Sequence, residues 1–234
     1  MAAGKLFLLP NLLDESTSWE SFLPASMPSI IQTLDGVIGE SEKEVRRYLT
    51  RFVPRDVWEK IKIQELNEHT NPKEIEHLLK SGERWGLISD AGLPCIADPG
   101  APLVALARRK QMEIEAVVGP CSLILALQLS GLEGQRFSFH GYLPRDAAEL
   151  KAKLIELERV SKKERATQIF IEAPYRSPKL FQTLLETLQP KTLLCVAQNL
   201  TAVAQRVNTQ SIADWRHSNT VFEKGPAIFL LLDH

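Results

Sequence analysis

Gly86-Leu87-Ile88-Ser89-Asp90-Ala91-Gly92-Leu93-Pro94-Cys95-Ile96-Ala97-Asp98-Pro99-Gly100 joins a short apolar run to a dense set of turn formers. Residues 86–89 read as a buried strand, and 89–100 as the loop that follows it. Open α/β sheets bind ligands beyond the carboxyl ends of their strands, so a loop in this position is a candidate binding loop. Gly92 lets the backbone approach a ligand, while Pro94 and Pro99 stiffen the turns. Asp90 can accept hydrogen bonds from a ribose or an amino group. Asp98-Pro99 is equally well placed to cap the helix that follows. On composition alone, a rigid turn with no ligand remains the plain alternative.

Upstream, 5–9 is an apolar run ended by Pro10 and reads as a first strand. Residues 11–30 read as a loop with at most one short helix, and 37–38 as a second strand. Ser41 with Glu44 three positions on is a capping-box signature that opens a helix to about 52. Asn71-Pro72 starts another expected helix, stopped near Ser81-Gly82. Downstream come a helix at 102–110, a strand at 114–118 and a helix at 121–130 closed by Gly131. This alternation argues for an α/β domain with a mostly parallel sheet. A strand at 137–142 ends it, and the expected boundary gives domains 1–143 and 144–234.

The second half restarts the alternation. A charged helix at 146–165 carries Leu150, Leu154 and Leu157 on one side. Strands follow at 168–172, 193–197, 203–208 and 227–232. Helices follow from Ser177-Pro178 to about 188 and at 212–217. The fold class expected is two α/β domains of unequal size.

Bulk properties narrow the classes of function. The 234 residues are 44% hydrophobic and 24% charged, with a formal net charge of -1. That offers no global field for nucleic acid, so an RNA contact would need a local basic patch. Cys95, Cys121 and Cys195 form no CxxC pair and read as reduced thiols. No apolar run has the length of a signal peptide or a membrane span, so a cytoplasmic protein without membrane contact is expected. His69, His77, His140, His217 and His234 share no ligand spacing, and no metal is expected. A Rossmann G-x-G-x-x-G, a Walker loop and a G-x-S-x-G elbow are all missing from the sequence.

Two more turns are candidates. Val118-Gly119-Pro120-Cys121-Ser122 leads from a strand into a helix, whose free amides and positive dipole end suit a carboxylate or an adenine nitrogen. Glu172-Ala173-Pro174-Tyr175-Arg176 follows another strand and offers groups for a substrate. Each also reads as an ordinary turn, with Arg176 as a surface charge.

Residues 89–100 resemble the S-D-A-G-x-P-x-x-x-D-P-G signature of the 16S rRNA ribose 2′-O-methyltransferase branch of the tetrapyrrole-methylase superfamily. Matching segments follow in order. Residues 6–10 resemble the opening L-Y-x-x-P strand, and 118–122 the G-A-C/P-G-x-S turn. Leu129-Ser130-Gly131-Leu132 resembles S-x-x-G-L, and F-S-F-H-G-Y-L-P at 137–144 is similar to F-x-F-x-G-F-L-P. I-F-I-E-A-P-Y-R at 169–176 resembles F-Y-E-S-P-H-R, and Lys224-Gly225 the late K-G-E.

The resemblance implies two α/β domains with an S-adenosylmethionine cofactor in the cleft between them, and a homodimer. Carried over, the cofactor contacts are Leu9, Pro10, Asp90, Gly92, Leu93, Ile96, Cys121, Ser122, Ala173, Pro226 and Ala227, many through backbone. The family's T-P-I-G-N-L-x-D is here 11–16, its A-E-D-T-R is 39–43, keeping only Glu40 with Arg46 and Arg47 further on, and its R-E-L-T-K is 198–202, with both charged members lost. A hydroxyl acceptor needs a proton acceptor, for which Glu40 and Glu172 are the candidates. Arg46, Arg47, Arg145 and Arg176 are candidates to hold phosphates of an RNA acceptor such as rRNA of the small ribosomal subunit. The alternatives are a methyltransferase of a small molecule such as a tetrapyrrole, and a donor-binding protein without acceptor activity.

Overall fold

A computed structural model describes residues 4–67, 69–71, 73–79, 82–218, 222 and 224–234. The chain divides into two compact units, Met1–Cys121 and Ser122–His234.

In the first unit the strands are β1 (Lys5–Leu8), β2 (Gly36–Gly39), β3 (Lys62–Glu65), β4 (Arg84–Leu87) and β5 (Glu113–Ala116), in the sheet order β3-β2-β4-β1-β5. Every pairing in this sheet is parallel. Helices α1 (Met27–Ile31), α2 (Glu42–Thr50), α3 (Arg55–Trp58) and α4 (Ala101–Arg109) complete the unit. The central strands are buried on both faces, as parallel strands covered by crossovers must be. Phe7 and Val37 pack with Val45, Tyr48 and Leu49 of α2 on one side. Their neighbours Leu6 and Ile38 pack with Trp85, Leu103 and Leu106 on the other. Half of the expected capping box is present: Ser41 Oγ accepts from Glu44 N at 3.3 Å, while the Glu44 carboxylate pairs with Arg47 instead.

The expected helix over 71–82 does not form where it is described, and Pro72 and Ser81 lie outside the described residues. The segment consists of turns and a 3-10 helix, Glu76–Leu78. Asn71 Oδ1 does accept from Lys73 N at 3.0 Å. The carbonyls of Glu74 and Glu76, however, meet the His77 ring at 2.9 Å and the Lys110 ammonium at 3.4 Å. Such side-chain partners compete with the helical ladder.

The second unit contains α5 (Ser122–Ser130), β6 (Phe137–Tyr142), α6 (Ala147–Glu164), β7 (Thr167–Glu172), α7 (Ser177–Thr187), β8 (Leu193–Gln198), β9 (Arg206–Ser211), α8 (Ile212–His217) and β10 (Ala227–Leu232). Its sheet order is β6-β7-β10-β8-β9. Only the β6–β7 pairing among these is parallel. The parallel pattern of the first sheet therefore does not extend to the second. Residues 199–205 join β8 to β9, a connection too short for a crossover. Strand β6 forms an edge of its sheet, with a register shift between Phe139 and Tyr142.

Division at 121/122 falls earlier than the 143/144 boundary read from the sequence. Strand β6 pairs with β7, α5 packs on β8, β9 and β10, and Thr209 Oγ1 donates to Ser130 O at 2.7 Å. Both elements thus belong to the second unit, whose core lies beside them. That core gathers Leu150, Leu154 and Leu157 of α6 with Phe170, Phe181, Trp215 and Phe229. Among the described residues, no helix is long and apolar enough to cross a membrane.

Candidate functional site

In the first unit the parallel strands β1, β2, β4 and β5 end along one edge of the sheet, and the turns after them carry the candidate residues. The turn after β1 is fixed to the sheet first. Leu9 N donates to Leu87 O at 2.9 Å, and the fully buried Leu9 side chain joins the core. Pro10 O accepts from the buried Tyr48 hydroxyl at 3.1 Å. Burial holds that phenol well above its ordinary pKa, so it stays a neutral donor.

Asn11 comes next, 5% exposed. Its Nδ2 donates to Ser89 O at 3.0 Å and Asp90 O at 2.9 Å. Its backbone N donates to Gly92 O at 2.7 Å. Asn11 alone thus holds the loop after β4 at three points, Ser89, Asp90 and Gly92.

That loop is tightly wound. Gly92 has φ +72°, and Cys95 and Ala97 have φ +71° and +66°, unusual for residues with a side chain. Leu93 is half-buried, while Ile96 is 45% exposed and Val118, after β5, is 80% exposed. Asp98 does not cap α4: the N-cap position is Gly100, without a side-chain bond. Asp98 lines a small cavity with Glu40 instead, and burial, reinforced by the Glu40 carboxylate, pushes it up to about 6. The nearby Ser89 hydroxyl offsets part of that rise. Asp90 is raised as well, by partial burial and then by Glu44, with Arg47 acting against them. Glu40, at the end of β2, accepts from Asp90 N at 3.4 Å. Glu40 and Asp98 share with Ser89, Pro94 and Cys95 the lining of a cavity of about 10 Å³, which is room for about one water.

Arg46 and Arg47, exposed on α2, already have carboxylate partners. Arg46 pairs with Glu42 at 2.5 Å; Arg47 pairs with Glu44 and, at 2.5 Å, with Glu15. Half-buried Cys121 closes the first unit, and Ser122 is the first residue of α5.

A second set of candidates gathers in the second unit, at the edge where β7 and β8 end and β10 begins. Ala227 lies opposite both Glu172 and Gln198 in the sheet. Pro226 O accepts from Asn199 N at 3.2 Å. Glu172 has a side chain only 1% exposed, accepts from Ala173 N at 2.8 Å and pairs with Arg176 at 3.0 Å. Both residues therefore hold their own turn: Glu172 is committed to structure, and Arg176 leans back on it. Ser177 does not cap α7 by accepting; its hydroxyl donates to Ala173 O at 3.1 Å. Tyr175 is largely exposed. Arg145 is exposed beyond the end of β6, just before Asp146, which caps α6 by accepting from Ala148 N and Glu149 N.

Asn11, Tyr48, Ser89 and Asp98 were missed as site residues by reading the sequence. A polar residue directly after a strand-ending proline was the available signal for Asn11. Nothing local distinguishes Asp98 from a helix cap.

The chemistry of the first-unit edge fits an S-adenosylmethionine donor. Carboxylates at 40, 90 and 98 complement its cationic sulfonium and ammonium groups and its ribose hydroxyls. The uncovered apolar groups of Ile96 and Val118 suit the face of an adenine.

The sequence profile of the family Tetrapyrrole (Corrin/Porphyrin) Methylases matches residues 28–215. "Ribosomal RNA small subunit methyltransferase I" of Vibrio cholerae is 33% identical over 168 residues, covering 70% of this chain and 57% of that protein. The protein of the same name from Xylella fastidiosa is 33% identical over 185 residues, covering 79% and 65%. The alignments thus span less than two thirds of these relatives. Among solved structures, the methyltransferase CobJ superposes with a TM-score of 0.61 at 14% identity, covering 100% of this chain and 95% of its own. Uroporphyrin-III-C-methyltransferase from Thermus thermophilus gives a TM-score of 0.54 at 16% identity, covering 99% and 93%. These two likenesses speak to the fold.

Proposed function

The chain belongs to the tetrapyrrole (corrin/porphyrin) methylase family, and from that premise we propose that it is an S-adenosylmethionine-dependent methyltransferase acting on RNA of the small ribosomal subunit. The observation that carries this reading is the loop at 89–100, bound to the end of β1 by Asn11 and presenting Asp90 beside Glu40 and Asp98. The names of the relatives support the acceptor.

When bound, the donor supplies an electrophilic methyl group on a sulfonium. Asp90 binds a ribose hydroxyl or the amino group, and the backbone of Leu9, Pro10, Gly92, Leu93, Ile96, Cys121 and Ser122 frames the rest. In-line transfer mainly requires alignment of the two reactants and exclusion of water. A hydroxyl nucleophile must also lose its proton. Asp98 is suited to accept it, since a carboxyl raised to about 6 is a stronger base than an ordinary one, and Glu40 borders the same small cavity. Glu172, enclosed by Ala173 N and Arg176, is less suited. Arg46, Arg47 and Arg145 offer charge to RNA phosphates. A homodimer located in the cytoplasm belongs to the same reading.

Calorimetric titration with S-adenosylmethionine tests the donor, and transfer of a labelled methyl group to undermethylated small subunits tests the acceptor. Binding followed by transfer is the expected result. Absence of binding overturns the reading, and binding without transfer overturns its RNA part.

A further inference from the structure

Four hydrogen bonds converge on the Asn11 carboxamide. Both Nδ2 hydrogens are given away, to Ser89 O at 3.0 Å and Asp90 O at 2.9 Å. Oδ1 accepts from Leu12 N at 2.9 Å and from Arg51 Nη1 at 2.7 Å. A primary amide has two donors and two acceptor positions, so this group is fully used. Only an amide meets the demand: a carboxylate of the same shape would face two carbonyl oxygens with no hydrogen to offer.

What the group holds is specific. Ser89 O and Asp90 O lie on either side of the Asp90 Cα, and Asp90 N is bound to Glu40 Oε1 at 3.4 Å. The peptide planes around Asp90 are thereby fixed, and Asp90 itself is exposed. Arg51 steadies the arrangement from just beyond the end of α2, donating through Nη2 to Glu15 Oε1 at 2.9 Å.

We propose that Asn11 is the positioning residue of the donor loop, setting the direction of the Asp90 carboxyl group toward the ribose or amino group of the methyl donor. The proposal rests on the methyltransferase reading. Asn11 touches neither reactant in this role; it acts through the backbone of Asp90.

The test compares the wild-type chain with Asn11→Asp and Asn11→Ser, by titration with S-adenosylmethionine, methyl-transfer kinetics and amide hydrogen exchange. In Asn11→Asp, donor binding is expected to weaken by about tenfold or more, because one buried and one partly buried hydrogen bond are lost and oxygens are set against oxygens. KM for the donor rises while kcat at saturating donor stays near wild type. Exchange quickens at 89–93 and not in β8. Asn11→Ser keeps one donor and is expected to fall between the two; it carries the test if Asn11→Asp fails to fold. Wild-type affinity together with wild-type exchange at 89–93 in either variant overturns the proposal. So does a variant that loses kcat and leaves donor KM unchanged. If the wild-type chain does not bind the donor, the methyltransferase reading falls, and exchange at 89–93 still decides whether Asn11 holds the loop.

Discussion

Gly119 approaches Pro10 so closely that a Cβ at position 119 would lie 2.1 Å from the Pro10 Cβ. The turn after β5 therefore rests directly on the turn after β1, and only glycine permits the contact. Gly119→Ala should destabilise the first unit by about 1–3 kcal/mol, because Pro10 is itself fixed by Tyr48 and has little room to retreat. Gly134→Ala, where nothing lies within 4 Å, is the control and should stay within about 0.5 kcal/mol. Urea denaturation of both variants measures the difference.

Glu172→Ala should act on folding before chemistry. It removes the acceptor of Ala173 N and leaves Arg176 without its partner. A loss of about 2–4 kcal/mol is expected, for a nearly buried carboxylate whose partners remain behind. A normal denaturation midpoint combined with a kcat collapse would contradict this and return Glu172 to the catalytic candidates.

Asp98 makes stability depend on pH in an unusual sense. Its folded pKa of about 6 lies above the roughly 3.9 of an unfolded aspartate. Between those values the folded chain keeps a proton that the unfolded chain has released, so stability falls as pH rises from about 4 to about 6. Asp98→Asn removes the titration. The gap in denaturation midpoint between variant and wild type should therefore widen in the variant's favour across that window and then level off. A gap that stays constant from pH 4 to 7 would rule this out.

Arg47→Gln separates stability from acceptor binding. Its ion pairs with Glu15 and Glu44 are exposed, so loss of stability should stay below about 1 kcal/mol. If Arg47 exchanges those partners for an RNA phosphate, the slope of log transfer rate against log salt should become shallower by about one. An unchanged slope would remove Arg47 from the acceptor surface.

Much of the fold was legible because buried strands write themselves as apolar runs. Leu6-Phe7-Leu8 and Ile228–Leu232 are of that kind, and both lie in interior strands of their sheets. Lys62-Ile63-Gln64-Glu65 was not legible: β3 is an edge strand whose outer residues face water, so it carries no apolar signature. The antiparallel order of the second sheet is likewise a matter of connections, which propensity does not encode. Asp90 and Gly92 could be picked out from a dense motif. Asn11 acquires its meaning only when β1 and β4, 79 residues apart at the Asn11–Asp90 bond, lie side by side.

The open edge of β6 bears on how the protein is handled. Residues 137–142 contain no lysine, glutamate or aspartate, although Phe137 and Tyr142 are exposed. The first sheet, by contrast, ends in the charged strands Lys62–Glu65 and Glu113–Ala116. An uncharged outer strand offers its backbone to any neighbouring chain, and here the irregularity between Phe139 and Tyr142 is what interrupts that offer. Concentrated or partly unfolded samples should therefore precipitate by way of this strand first, and a lysine placed at Phe137 is the substitution to try when solubility limits an experiment.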